Sequence, residues 1–390
     1  MRGMGYGTTS RCDQDLASAS EVSGAEPMCV LIVSKSLDEQ GGIVNFVNTI
    51  LRHGSDRVCY THVPFGRSNG ARGAAGIWAT ASSLMRLASV ARSNEWDCIH
   101  VNTSLVWRSL ARDGAILLLL RILGRRNALL FVHGWDMGVQ QRISESVFLR
   151  VGLRALLRYP RKVIVLASAF KQTLEGWGVA GHSVFVMSTM FDGGTVALPT
   201  TSRGRTPGRT LLFMSRFIKE KGIYELLSAF ERLSERHPDL RLVFAGDGPE
   251  RERMIAWCRA RNLDRRVDFP GYVREARKRA LLEAADVFVL PTYYAEGCPV
   301  ALLEAMAAGL PVVTARAGGV SDIFCHDVNG ILLDEISPRS IETAVQRLLT
   351  DERYRERIGE VNRREAWSRY EAKVVTSELE AHYHHVSHDR

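Results

Sequence analysis

Two doubly wound α/β domains joined by a linker are what this 390-residue chain predicts. Three observations predict it. Short apolar runs alternate with helix-length segments along almost the whole chain, the pattern of parallel sheets covered by helices. The length leaves room for two domains of ordinary size, each with its own core. A break in composition at 193–209, GGTVALPTTSRGRTPGR, interrupts the alternation with Gly, Pro, Thr and Arg in no periodic order, as a linker does.

Residues 1–26 mix Gly, Ser, Thr and Asp without periodicity and lack the apolar stretch of a signal peptide, so they are expected to form a disordered tail. The first domain, 27–192, offers strands at MCVLIVS (28–34), RVCYTHV (57–63), CIHVNTS (98–104), ALLFVHG (128–134), KVIVLAS (162–168) and VFVMST (184–189). Helix-length segments lie between them at 43–53, 76–93, 105–123, 140–158 and 169–177. The second domain, 210–365, restarts with TLLFMSR (210–216), LRLVFAG (240–246), VDFPGY (267–272), VFVLPT (287–292) and PVVTA (311–315), and its clearest helix is IYELLSAFERLSER (223–236). Beyond ILLDE (331–335) the chain reads as helical and charge-rich to about residue 385, with 366–390 taken as a terminal helix and tail. Open sheets of this kind bind ligands at the carboxyl ends of their strands, and a cleft between two of them would give two substrates one water-poor site.

A hydrophobic fraction of 46% and a charged fraction of 24% suit a soluble globular protein. Seven cysteines form no CxxC pair, and an odd number suits neither a disulfide framework nor a zinc cage, so reduced thiols of a cytoplasmic protein are expected. The most apolar run, residues 115–124, is too short to span a bilayer and is broken by Arg121. The net charge is +8, and basic residues crowd the stretch from Arg108 to Lys162. Two readings stand side by side: solvated helix faces, or attraction to anionic lipid headgroups worth about 1 kcal/mol per basic residue near such a surface. No nucleic-acid module accompanies the charge, so a nucleic-acid partner is not expected.

The strongest local signal is EGCPVALLEAMAAGLPVV. Glu296 sits in the loop after the strand VFVLPT, a helix can open at Pro299, and Glu304 falls about a turn and a half into it. Backbone N–H groups at Gly297, Cys298 and beyond Pro299 lie between the carboxylates. Two acceptors for hydroxyls around an anion-binding helix start suit a sugar nucleotide. Arg216 and Lys221, in the loop after TLLFMSR, could converge on its diphosphate and stabilise the charge that grows on a departing nucleoside diphosphate as a bound metal would. No Asp-x-Asp follows an apolar strand to hold such a metal, so no metal and no resident cofactor are expected.

Weaker signals surround this pair. In AGDGPE, Gly246 allows close approach of a ligand, and Asp247 either caps the next helix or contacts the ligand. Gly41 and Gly42 open a helix after the first strand, where a diphosphate or acceptor could approach. His133 ends its strand at a ligand-binding edge, and Asp136 could orient it or touch an acceptor. Ser168 reads as a helix cap. The histidines of HYHHVSH (382–388) read as an exposed terminal tract, and Cys298 as a backbone donor without a nearby base.

Taken in order, GGI, HG, Arg-x-x-x-x-Lys, GDGPE and Glu-x7-Glu resemble the family-four retaining glycosyltransferases of the GT-B fold (glycosyl transferases group 1). ARAGGVSD (315–322) looks like that family's Gly-Gly loop, and HDVNGILL (326–333) like the turn and strand after it. The resemblance spans residues 28–370 and is most specific in the second domain. It implies that Glu296 binds donor-sugar hydroxyls, Glu304 the ribose, and Arg216 and Lys221 the diphosphate. His133 would face the sugar, and the Gly318–Gly319 loop would pass close to the donor. It further implies a UDP- or GDP-linked sugar, a lipid-linked or polysaccharide acceptor, retention by front-face attack without a metal, and loss of the acceptor proton to a leaving-group phosphate oxygen. The setting would be cell-surface polysaccharide assembly (lipopolysaccharide or exopolysaccharide), in the cytoplasm or peripherally at the inner membrane face. A GT-B sugar-nucleotide epimerase and a non-catalytic nucleotide-sugar-binding subunit are the alternatives. Three positions depart from the family pattern: Cys298–Pro299 where Phe-Gly is common, Asp322 where a glutamate is common, and MSTMFDGG (187–194) where an Asn-Gly step is common. By analogy the terminal helix, with Trp367 and Tyr370, would cross back onto the first domain.

Overall fold

A computed structural model of the chain describes residues 9–10, 26–39, 41–66, 74–196, 210–295 and 297–388. Most of the expected tail and linker, and Glu296, lie outside the described residues. The chain forms two compact units, Met1–Ser188 with Ala372–Arg390, and Thr189–Glu371.

The first unit is built on the strands β1 (Thr9–Ser10), β2 (Met28–Ser34), β3 (Val58–Pro64), β4 (Cys98–Leu105), β5 (Ala128–Trp135), β6 (Lys162–Val165) and β7 (Val184–Val186). Their order is β1-β3-β2-β4-β5-β6-β7, parallel throughout except for β1. β2 reads as an unbroken apolar run because it is covered on both faces, as interior strands of parallel sheets are. On one face, Leu87, Leu117, Ile143 and Leu153 of successive crossover helices share a single core with Leu31, Val101 and Leu130 of the strands. On the other lie α1 (Gly42–His53) and the returning terminal helix Ala372–His388.

That terminal helix corrects two expectations. Its crossing starts at Ala372, so Trp367 and Tyr370 remain in the second unit. There the Trp367 indole donates to Ala307 O at 3.1 Å and meets Phe191 edge-on, while Phe191 N donates to Tyr370 O. The histidine tract is not a loose tail, because Tyr383 and Val386 are fully buried within it. Tyr383 Oη pairs with His100 Nδ1 at 2.8 Å, and Glu380 Oε1 accepts from Tyr60 Oη and Ser55 N, both at 2.8 Å. Burying each such large side chain contributes about 2 kcal/mol, which holds the helix in place.

The second unit orders β8 (Thr210–Met214), β9 (Arg241–Ala245), β10 (Val267–Gly271), β11 (Val287–Leu290), β12 (Val312–Ala315) and β13 (Gly330–Leu333) as β10-β9-β8-β11-β12-β13. All neighbours are parallel. Its helix Ile223–Arg236 buries Ile223, Leu226, Leu227, Phe230 and Leu233, the three-and-four spacing that made it legible. Thr189–Val196 also belongs to this unit, so the boundary falls earlier than the composition break.

Among the described residues no helix is long and apolar enough to cross a membrane. Cys29, Cys98, Cys258, Cys298 and Cys325 are free thiols, whereas Cys59 is disulfide-bonded, contrary to the expectation of reduced cysteines throughout.

Candidate functional site

In the second unit the chain leaves β8 toward β9 and β10, then returns to place β11 on the other side of β8. The direction of winding reverses there, which opens a crevice at the carboxyl ends of these two strands. The loops that line it are Ser215–Gly222 after β8 and, after β11, residues 291–295 and 297–299.

These loops are tied together by backbone. Tyr293 N and Tyr294 N both donate to Glu220 O, at 3.0 and 3.1 Å. Gly222 follows in the left-handed region (φ 68°), and a Cβ there would collide with the Pro291 carbonyl. Only glycine fits that position. The turn Lys219–Lys221 is therefore fixed against the second loop, with Lys221 buried and its Nζ 4.7 Å above the Tyr294 ring. Arg216 is exposed on the same loop, beside buried Phe217. A rigid backbone thus carries one enclosed cation, Lys221, and two open ones, Arg216 and Lys219, at the switch point.

The loop after β9 joins them. Phe217 N donates to Asp247 O at 2.9 Å, and Gly246 (φ 147°) lies so close to Ser215 O that no Cβ fits. The Asp247 carboxylate accepts from Gly248 N at 2.8 Å, bracing its own turn rather than capping the next helix. Glu250, which the sequence did not single out, accepts from Tyr224 Oη at 2.6 Å and from Arg253 Nη1 at 3.1 Å. The Tyr224 hydroxyl holds the Glu250 carboxyl below its usual range.

The helix after β11 runs Val300–Ala307, with Pro299 at its cap, one residue later than expected. Its first N–H groups have no intrahelical acceptor, and no acid occupies its first turn. Cys298 is buried just ahead of it, as a free thiol. Glu304, only 5% exposed, forms an ion pair with Lys278 of the helix Glu275–Ala284. Burial raises the Glu304 pKa, and the Lys278 ammonium opposes that rise. Nothing in the run REARKRALLEA marks Lys278 among its basic neighbours, so this partner was invisible in sequence. Gly318 (φ 51°) and Gly319 lead into the short helix Val320–Ile323 after β12. Asp192 contributes to the field at Glu304, which places part of MSTMFDGG near that carboxylate.

In the first unit, His133 lies near the carboxyl end of β5. Its ring stacks on Phe131 (centroids 4.2 Å apart) and meets Phe46 of α1 edge-on at 4.8 Å. Phe46 therefore brings His133 together with the helix that opens at Gly41 and Gly42. Both glycines are exposed, Gly41 has φ 149°, and no side chain caps that helix. Asn102 Nδ2 donates to Val33 O at 3.4 Å, which leaves its Oδ1 to accept from His133 Nε2 at 2.8 Å. His133 Nδ1 is then the unprotonated nitrogen. Burial, with a smaller contribution from His100, lowers the His133 pKa to about 3, so the ring is neutral at pH 7.

Asp136 does not orient His133; it caps the helix Met137–Glu145 through Val139 N at 2.8 Å. Ser168 is the first residue of its helix, and Ala167 occupies the cap. Part of the basic region is also structural. Arg112 pairs with buried Asp113 at 2.5 Å, Arg161 donates to Val386 O at 2.8 Å, and Lys162 is buried over the Phe185 ring. Among the described residues no cluster of His, Cys, Asp or Glu could hold a metal ion.

Comparison with known proteins bears on this arrangement. Residues 202–365 match the family model for glycosyl transferases group 1. A glycosyltransferase of unknown role from Methanocaldococcus jannaschii is 35% identical over 170 residues, 44% of this chain and 43% of its own. The chain thus spans less than half the length of that relative. The 2-deoxystreptamine N-acetyl-D-glucosaminyltransferase of Niallia circulans is 27% identical over 72% of this chain and 74% of its own. The crystal structure of Anabaena HepE with UDP and glucose superposes with a TM-score of 0.70, covering 91% of this chain and 99% of that one at 19% identity. The fold is that of the GT-B glycosyltransferases.

Proposed function

We propose that this chain, whose residues 202–365 match the family model for glycosyl transferases group 1, moves a sugar from a nucleoside-diphosphate sugar to a hydroxyl of a lipid-linked or polysaccharide acceptor, with retention of configuration and without a metal. One observation carries this reading. The backbone bonds from Tyr293 and Tyr294 to Glu220 hold the Arg216–Lys221 loop against the loop that leads through Gly297 and Cys298 to the Val300 helix. A diphosphate bound there would face two cations and a helix N-terminus together.

The proposed roles follow from chemistry at each position. Lys221 and Arg216 stabilise the charge that builds on the leaving phosphate; preorganised donors of this kind are each worth about 10²–10³-fold in rate. Lys221, held in place before substrate arrives, needs little reorganisation. Glu304 accepts from the ribose hydroxyls and Glu296 from the donor sugar, while Gly246 and Gly319 border the donor where a side chain would obstruct it, and Asp247 lies beside Gly246 on the same turn. His133, neutral and with Nδ1 unprotonated, can accept a hydrogen bond from a sugar hydroxyl and cannot serve as a general acid at pH 7. The acceptor proton leaves to a phosphate oxygen. The UDP in the HepE crystal structure supports a nucleoside diphosphate as the donor's leaving group.

The test is donor turnover with a panel of lipid and glycan acceptors. Lys221→Ala and Glu296→Ala are each expected to reduce transfer at least about 10²-fold with the melting temperature retained. Near-wild-type turnover in either variant would contradict the assignment, and a product of inverted configuration would remove the retaining part.

A further inference from the structure

Exposure of large apolar side chains is unevenly distributed over this molecule. Ten of the fourteen such residues among the described part of the chain fall between Trp78 and Val151, on the helices that cover one face of the first unit's sheet. Apolar residues scattered singly over a surface need no explanation; a concentration in one layer does.

The helix Val147–Leu157 is its most exposed part. Leu153 and Leu157 turn into the core, so the positions on the far side of the helix face solvent. That outer side carries Phe148, Val151 and Ala155, at steps of three and four. Phe148 is 90% exposed, Val147 61% and Val151 50%. Arg150, Arg154 and Arg158, four residues apart, form a ridge beside this stripe, and Arg142 is exposed on the preceding helix. No acidic residue occurs from Ser146 to Leu174. On the neighbouring helix Trp107–Ile122, Leu118 (58% exposed) and Ile122 (71%) also face outward, next to exposed Arg121.

We propose that this surface docks on an anionic lipid bilayer, with Phe148 and Val151 entering the boundary between headgroups and acyl chains. Arg150, Arg158 and Arg142 meet the lipid phosphates. An apolar stripe flanked by arginines on a short amphipathic helix has the form of an interfacial membrane contact. Charge selects the occupant. A second copy of this chain meeting the same face across a two-fold axis would set Arg142, Arg150, Arg154 and Arg158 of each copy against one another with only Glu145, at the end of the preceding helix, to offset them. Anionic headgroups supply the missing counter-charge, and guanidinium binds phosphate oxygens in pairs. Docking does not depend on the sugar-transfer reading.

Co-sedimentation of the full chain with vesicles tests this. Vesicles of phosphatidylcholine alone are compared with an equal mixture of phosphatidylcholine and phosphatidylglycerol. The wild type is expected to bind the mixture, to bind phosphatidylcholine weakly, and to be released by salt. Phe148→Asp with Val151→Asp, and separately Arg150→Glu with Arg158→Glu, are each expected to weaken binding to the mixture at least about tenfold. Both double variants keep the wild-type melting temperature and its shift with added nucleoside diphosphate, which separates loss of docking from loss of the donor site. Equal binding by the wild type and both variants, or no preference for anionic lipid, would overturn the proposal. So would a wild-type dimer in sedimentation velocity that Phe148→Asp converts to monomer, since a second copy would then cover the surface.

Discussion

The candidate donor side and the candidate acceptor side are built by different means. In the second unit, main-chain bonds from Tyr293 and Tyr294 to Glu220, together with glycines that admit no Cβ, fix the loops before any side chain is considered. In the first unit, His133 is positioned by rings and an amide: Phe131, Phe46 and Asn102. A nucleoside diphosphate is a compact, highly charged ligand, and a rigid backbone with fixed cations suits it. A surface of stacked rings is easier to vary, because exchanging one ring leaves the main chain in place. The contrast also explains why family likeness is strongest where the backbone is most constrained.

Lys278→Met tests the donor side most severely. It leaves the buried Glu304 carboxylate without its cation, for an expected loss of about 3–5 kcal/mol at neutral pH. Burial already raises the Glu304 pKa, and removing Lys278 raises it further. The folded state then holds a proton that the unfolded state releases above its ordinary pKa of 4.5. Stability is therefore lost as pH rises through that window, and urea unfolding at descending pH should show the defect shrinking. A defect independent of pH would mean that Lys278 acts through packing alone.

Gly222→Ala comes next. It forces a side chain into left-handed backbone and against the Pro291 carbonyl, for an expected loss of about 2–4 kcal/mol. Transfer should fall with it, because the turn that carries Lys221 must shift. Glycines at Gly124 or Gly178 also have positive φ, but alanine there should destabilise without affecting nucleotide binding. Nucleotide binding lost equally at all three positions would erase the contrast between the two units.

The first unit responds to acid instead. Burial lowers the pKa of His100 and His133 to about 3 and of His62 and His382 to about 4, from an ordinary value of 6.5. Below about pH 6.5 the unfolded chain takes up protons that these folded histidines refuse. Their contribution is thus complete above that pH and declines as pH falls toward their folded values. A fully buried one such as His100 contributes a slope of up to about 1.4 kcal/mol per pH unit. His100→Asn should flatten the fall in the urea midpoint between about pH 6.5 and about pH 4. An unchanged slope would show that His100 is protonated in the folded state.

Much of this architecture was legible in the sequence, for a physical reason. Interior strands of a parallel sheet are covered on both faces, so β2 and β11 read as unbroken apolar runs between helix-length segments. The charges at strand ends, Arg216 and Lys221, stood out because apolar runs precede them. Contacts between distant parts of the chain were not legible. Lys278 reaches Glu304 from a separate helix, and Tyr383 reaches His100 across 283 positions. Asn102 sits 31 residues before His133, inside another strand. No local periodicity records such pairs. Trp367 and Tyr370 were misplaced because a helical pattern continues past them, while the change of unit comes only at Ala372.

The central claim is that Lys221, fixed at the β8–β11 switch point, grips a diphosphate. Calorimetric titration of nucleoside diphosphate into the wild type and into Lys221→Ala tests it most directly. The wild type is expected to bind, with Lys221→Ala weakened at least about tenfold at an unchanged melting temperature, in keeping with loss of a charge-assisted hydrogen bond. Equal affinity in the two proteins would contradict it.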